Sequence, residues 1–309
     1  MNGFFTLAHL SDIHLAPARP YYGHLQAKRL LGMLNWHRTR RRQHLASTLA
    51  AIVTDALAQA PDHVAVTGDL VNVGLASEHA AAARWLAELG PAGSVTAVPG
   101  NHDIYVDMAH GDGIGRWQAF MAGDAETVGR EPYPFVRRLG PIALVGLNSA
   151  LPTPLFHAFG RLGASQLASL DGLLARLGEE GRVRIVLIHH PPLTGQAAPR
   201  AALQDAPELA AVLRRRGAEI VLHGHNHRAS LAHVEGPAGP IPVVGVPSAS
   251  LGIAHGRQML ARYNLYRFAP EPGAPIELVE RGLAVPGGPV VELARRMLSR
   301  PELVRPPLG

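Results

Sequence analysis

Five short fragments rich in metal-ligating side chains, each set just after an apolar run, constrain this chain most strongly. They are Asp12-Ile13-His14, Gly68-Asp69, Gly100-Asn101-His102-Asp103, His189-His190-Pro191-Pro192 and Gly224-His225-Asn226-His227. Fragments so far apart in sequence meet only if the strands before them lie side by side and end at one rim. Open α/β sheets build sites there, in the crevice beyond the carboxyl ends of the strands. Residues two apart share a face in extended backbone, so Asp12 with His14, and His225 with His227, are expected to converge. Gly68, Gly100 and Gly224 stand before ligands, where a sharp turn or close backbone approach is needed. Pro191 and Pro192 keep the chain from turning helical after His189 and bias His190 toward an extended conformation.

The rest of the pattern fits an α/β chain. Apolar runs at 4–10, 64–67, 95–99, 142–147, 183–188 and 219–222 read as buried strands. Helical spacing links Leu45, Leu49, Ile52, Val53, Ala56 and Leu57, then 77–89, then Leu167, Leu170, Leu173, Leu174 and Leu177. Pro207 suits the first turn of a further helix and Gly217 its C-terminal cap. After Arg228 short strands follow one another through Gly/Pro turns, at 229–234, 242–246, 259–268 and 276–281. Such an order predicts two packed sheets flanked by helices, in one domain over 1–281. Residues 282–309 read as a linker and a short C-terminal helix over 290–298.

Composition narrows the chemistry. Cysteine is absent, so thiolate ligands, disulfides and a Cys nucleophile are excluded, leaving His, Asp and Asn for any metal. The net charge is +5, and Lys28 is the only lysine, so arginine carries almost all the positive charge. No run of 18 uncharged apolar residues spans a membrane, and residues 1–10 lack a basic leader; the expectation is a cytoplasmic protein.

The fragments divide into two ligand sets. One metal takes Asp12, His14, His227 and a shared Asp69; the other takes Asn101, His189, His225 and the same Asp69. A carboxylate is the natural bridge between ions about 3.5–4 Å apart. Oxygen and imidazole shells suit two divalent or trivalent ions, manganese or iron first, with zinc allowed. A hydroxide bridging them is the expected nucleophile, attacking a phosphoester in line. His102 is then free to protonate the leaving oxygen, Asp103 to hold the loop, and His190 to support the ligands from behind.

In this order the fragments resemble the calcineurin-like metallophosphoesterase superfamily, over about residues 5–268. Gly68-Asp69-Leu70 with Gly74 and Glu78, and Ile188-His189-His190-Pro191-Pro192, are similar to bacterial cyclic-nucleotide and glycerophosphodiester phosphodiesterases. The resemblance implies a four-layer α/β/β/α sandwich of two mixed sheets, Fe or Mn cofactors and hydrolysis of a small phosphodiester substrate. Serine/threonine phosphatases carry Asp-Arg-Gly after their Gly-Asp, where this chain reads Val71-Asn72-Val73-Gly74.

A basic, aromatic insertion at about 16–44 departs from the compact members. It holds Tyr21, Tyr22, Lys28, Arg29, Trp36, Arg38, Arg40, Arg41 and Arg42. It resembles the branch that cleaves the pyrophosphate of a UDP-linked, acylated glucosamine at the membrane face, which is the alternative function. By default Arg38, Arg40, Arg41 and Arg42 form a solvated face; the sharper reading is a patch for an anionic substrate or an anionic membrane surface. Leu25, Leu30, Leu31 and Leu34 fall near helical spacing and are expected in the core or in a contact of a homo-oligomer rather than on an amphipathic surface helix. The other histidines, among them His79 and His110, are expected at the surface or as satisfied polar groups. A nuclease acting on nucleic acid is disfavoured by the short loop after Asp103, and a metal-free scaffold by the intact Asp69 and Asn101.

Overall fold

The computed structural model describes residues 3–17, 26–124, 133–271 and 273–301. Strand β1 (Phe5–Leu10) runs parallel to β2 (His63–Val66), which runs parallel to β3 (Val95–Ala97). A second sheet starts from β4 (Phe135–Leu139), paired antiparallel with β5 (Ile142–Gly146). It continues in parallel through β6 (Val183–Leu187) and β7 (Ile220–His223) to β9 (Ile241–Gly245), with β8 (Ser230–Val234) antiparallel at its edge. The chain then returns to the first sheet as β10 (Arg262–Phe268), β11 (Ile276–Leu283) and β12 (Val290–Leu298), all antiparallel. Each sheet is mixed and six-stranded.

Alternation along the second sheet stacks the layers. Ile142, Leu144, Ile185, Leu187, Ile220 and Leu222 belong to one core with Leu7, Leu10, Val64 and Val66 of the first sheet. The residues between them, Ala143, Val145, Val186 and Val221, pack instead with Leu170, Leu174, Leu209 and Leu213. Side chains on a strand alternate between faces, so each strand seals one core on each side.

Five longer helices and one short turn frame the sheets. Helix α1 (Ala27–Asn35) passes through a π-helical turn, Trp36–Arg40, into the short α2 (Arg41–Gln43). Helices α3 (Ala46–Ala58) and α4 (Ala76–Leu89) bury Leu49, Ile52, Ala82 and Leu86 in the core of the first sheet. Helices α5 (Ala164–Glu179) and α6 (Ala206–Arg216) cover the second. As the residue types demand, Pro207 sits in the first turn of α6 and Gly217 caps it at φ 76°. The result is an α/β/β/α sandwich.

Two expectations are corrected. Residues 290–298 form no helix: they are edge strand β12, because β11 offers a free row of backbone groups and pairs from Ile276↔Leu298 to Leu283↔Val290. The leucines of α1 are not core: Leu30, Leu31 and Leu34 are 49%, 43% and 43% exposed, while Arg29 and Met33 turn inward. His79, expected at the surface or as a satisfied polar group, is fully buried, with Trp117 Nε1 3.4 Å from its Nδ1. Tyr21, Tyr22 and Leu25 lie outside the described residues. No helix among the described residues is long and apolar enough to cross a membrane.

Candidate metal centre

β1, β2, β3, β6 and β7 all end at one rim, and each is followed within a few residues by a candidate ligand. The ligand pairs are not brought together by extended backbone, as the spacing suggested. Asp12 and His14 have φ values of 53° and 46°, Asp69 of 55°, and His225 and His227 of 69° and 51°. Among the described residues seven non-glycine residues have positive φ, and five are these candidate ligands. Left-handed backbone costs a side-chain-bearing residue energy, and such residues cluster at sites the surrounding fold holds in place. Here Asp12 N donates to Gly68 O and His14 N to Asp69 O, both at 2.9 Å, so β1 and β2 carry their ladder into the turns. A Cβ on Gly68 would sit 2.5 Å from Gly100 N, and one on Gly100 would collide with Asp69. Only glycine allows these loops to touch.

Seven side chains converge. His14 Nε2 lies 3.3 Å from His227 Nε2, 4.0 Å from Asp12 Oδ1 and 3.9 Å from Asp69 Oδ2. On the far side of Asp69, His189 Nε2 lies 3.4 Å from the same Oδ2, 3.2 Å from Asn101 Oδ1 and 3.2 Å from His225 Nδ1. Asp12, His14 and Asp69 thus bring one ligand atom each within 4.8 Å of one another, as do Asp69, His189 and His225. Asp69 belongs to both groups. Asp12 Oδ1 is buried without a hydrogen bond, although His227 Nε2 is 3.1 Å away.

The ring orientations are set from behind. His14 Nδ1 donates to Val71 O at 3.2 Å and His189 Nδ1 to Thr67 O at 2.6 Å, which turns each Nε2 inward. Burial opposes a charged His189, but the Asp69 carboxylate outweighs it and raises the imidazole to about 9. The cluster holds carboxylates that want a cation. An orphaned carboxylate oxygen, hard oxygen donors and imidazoles fit a pair of iron, manganese or zinc ions.

The neighbours of the cluster have separate tasks. Asp103 accepts hydrogen bonds from the backbone N–H groups of Asp69, Leu70, Val71 and Gly100 at 2.8–3.1 Å, so it holds the loops. Burial raises its carboxyl to about 7, with the Asp69 charge adding to the effect. His190 uses both ring nitrogens elsewhere, with Ser149 Oγ at 2.8 Å and Ala158 O at 3.0 Å. His102 N donates to Asp69 Oδ1 at 2.8 Å, and its Nδ1 donates to Asn72 O. Burial, then the nearby Arg40 guanidinium, lower the His102 imidazole to about 4.

The insertion contributes more than its charge suggested. Arg38, Arg41 and Arg42 are exposed, but Arg40 turns inward onto His14 and His102. His44, which sequence reasoning did not single out, lies against His14 and His227, with ring centroids 4.6 and 5.6 Å away. No local spacing marks it, because its place depends on a hydrogen bond to Ser250 Oγ more than 200 residues away. A cavity of about 400 Å³ opens beside the cluster at Asn101 and His102; its other walls are α1 and residues 153–158, including His157. His110 lines a separate, smaller cavity.

Comparison with known proteins places this arrangement. The calcineurin-like phosphoesterase family model matches residues 5–229. A probable cyclic nucleotide phosphodiesterase of Synechococcus is 30% identical over 58% of this chain, a match that spans 63% of that relative. Glycerophosphodiester phosphodiesterase GpdQ of Enterobacter lignolyticus is 27% identical over 73% of this chain and 72% of its own. Among solved structures, a dimetal phosphatase from Danio rerio superposes with a TM-score of 0.64 at 15% identity, covering 96% of this chain and 98% of that one, a likeness of fold. The chain belongs to the calcineurin-like phosphoesterase family.

Proposed function

We propose that this chain hydrolyses small phosphodiesters, of cyclic nucleotide or glycerophosphodiester type, using two divalent or trivalent metal ions. The observation that carries the reading is Asp69, whose carboxylate is shared by two ligand clusters, one of which holds the unsatisfied Asp12 Oδ1. Asp12, His14, Asp69 and His227 would hold one ion, and Asp69, Asn101, His189 and His225 the other. When bound, such ions supply Lewis acidity toward the phosphoryl group and an activated water, with manganese or iron the favoured pair.

The protein's own groups then orient and relay. His102 lines the cavity with its Nδ1 proton tied to Asn72 O and its Nε2 3.1 Å from Arg40 Nη1, and is the residue there that can exchange a proton with the ester oxygen. The cavity is within the size range of small-ligand pockets and takes the esterified group. The relatives named as phosphodiesterases support the diester over the monoester. A reducing cytoplasm suits a chain without cysteine.

The test is hydrolysis of an aryl phosphodiester against the matching monoester, with Mn²⁺ supplied and bound metal quantified. Diester preference with about two metals per chain is the expected result. Preference for the monoester, or activity that survives metal removal, sinks the reading.

A second reading is peripheral contact with an anionic membrane. The exposed Leu30, Leu31 and Leu34 lie on the same insertion as the exposed Arg38, Arg41 and Arg42, the pairing that seats an amphipathic helix at an interface. Replacing Leu30 and Leu34, which do not line the cavity, with Ser should abolish binding to anionic vesicles and leave soluble-diester hydrolysis intact. Vesicle binding that survives the change rejects this reading.

A further inference from the structure

The buried arginines of this fold are nearly all spoken for. Arg29 donates to Val73 O and Gly74 O, Arg137 to the carbonyls of Val95, Ala119 and Ala122, and Arg184 to Glu219. Arg40 differs. Its side-chain contacts are to imidazole nitrogens: Nη1 lies 3.1 Å from His102 Nε2, and Nη2 lies 3.1 Å from His14 Nε2. Among the described residues it forms no ion pair with a carboxylate, although Asp69 and Asp12 are near enough to favour its charge. A guanidinium carries five N–H donors in a rigid fork and costs energy to bury without an anion.

Its backbone is fixed rather than left to wander. Arg40 closes the π-helical turn Trp36–Arg40, anchored by Trp36 at 4% exposure. Turns of this kind are rare and recur at functional sites. Directly after it, His44 N donates to Arg40 O at 2.8 Å, Leu45 N to Ser250 O at 2.9 Å and Gly252 N to Gln43 O at 2.8 Å. These bonds fasten the insertion across the mouth of the centre. The cavity starts at the same His102 that Arg40 touches.

We propose that Arg40 is a substrate-binding residue: its guanidinium holds a non-bridging phosphoryl oxygen, with one ester group lying in the cavity between α1 and residues 153–158. The proposal rests on the phosphodiesterase reading for the identity of the ester, and on Arg40 alone for the anion. A fork of N–H donors matches phosphoryl oxygens better than a point charge does. The competing account makes Arg40 a stand-in that fills the place of a cation next to His14.

The experiment compares wild type, Arg40→Ala and Arg40→Lys as Mn²⁺-loaded protein. Bound Mn²⁺ is quantified, and the affinity for inorganic phosphate is measured by calorimetry. Arg40→Ala is expected to keep its Mn²⁺ and to bind phosphate roughly 10–100-fold more weakly, the loss typical of a charge-assisted contact. Arg40→Lys should fall between the two, and its retained fold covers the case in which the alanine variant misfolds. Unchanged phosphate affinity with tighter Mn²⁺ binding overturns the proposal in favour of the stand-in. Loss of Mn²⁺ in both variants also overturns it, since Arg40 would then serve the centre's architecture. If wild type cleaves no diester yet the variants lose phosphate, the diesterase reading fails and the Arg40 assignment stands.

Discussion

Asp103 Oδ2 accepts a hydrogen bond from Asp69 N at 2.8 Å, so one buried carboxylate fixes the backbone that aims another. Asp103 spends both oxygens on backbone N–H groups, from Gly100 as well as from Asp69, Leu70 and Val71. Asp103→Asn replaces one acceptor with an N–H₂ that faces donors. The expected cost is about 1–3 kcal/mol of stability, read by thermal unfolding of the metal-free protein. Mn²⁺ affinity should fall roughly 10–100-fold, the usual effect of losing a group that orients ligands. Unchanged metal affinity would remove Asp103 from this role.

Asp69 and His102 should separate metal binding from turnover. Asp69→Asn removes charge from both clusters and is expected to lose bound metal and rate together. His102→Ala leaves the seven converging side chains in place and should keep its metal while slowing turnover roughly 10²–10⁴-fold. Metal analysis beside kcat decides; stripped metal in His102→Ala would place that residue among the ligands.

Gly100→Ala tests the close approach of the loops. The added Cβ would collide with Asp69, against a backbone held by Asp103. Destabilisation of about 1–3 kcal/mol is expected from overpacking, with metal affinity reduced in parallel. A variant that melts and loads like wild type would mean that the loops can part.

The acid limb of stability should report on Asp55, far from the centre. Burial raises its carboxyl, but hydrogen bonds from Arg281 and Tyr263 outweigh burial and hold it below the ordinary range. Arg281 grips it through Nε at 2.7 Å and Nη2 at 2.8 Å, tying α3 to β11. A depressed folded value means the stabilisation is present above the unfolded value and fades as pH drops through the folded one. Asp55→Asn should therefore cost about 1 kcal/mol near neutral pH, an amount kept small by partial exposure. The gap from wild type should close below about pH 4. A gap that stays constant with pH would show that the pair contributes packing and no charge.

The ligand fragments were legible because their signal is local: a short apolar run, a glycine, then a donor. Layering was legible for the same reason, since alternation in β5, β6 and β7 fixes which residues meet which core. The edge strands β4 and β12 were not. β12 has one neighbour and a burial pattern without regular alternation, so its charged sequence reads equally well as a helix. The left-handed ligand turns were hidden because nothing in Asp12 or His14 announces a positive φ; the neighbouring strands impose it. Arg40 was legible only as one of four basic residues in a patch, and His44 was hidden, because their placement depends on tertiary contacts, such as that with the loop at 248–252, that no spacing betrays.

The seven converging side chains come from both halves of the sandwich. Asp12, His14, Asp69 and Asn101 hang from the first sheet; His189, His225 and His227 hang from the second. A cation gripped there would therefore act as a rivet through the two plates, beside hydrogen bonds that already cross this rim, such as His189 Nδ1 to Thr67 O and His225 N to Asp12 Oδ2. Loading it would stabilise the native state by mass action and couple the two sheets mechanically. The same rivet that serves chemistry would then set how freely the two sheets can slide, and its removal would be felt in the shared core well beyond the cleft.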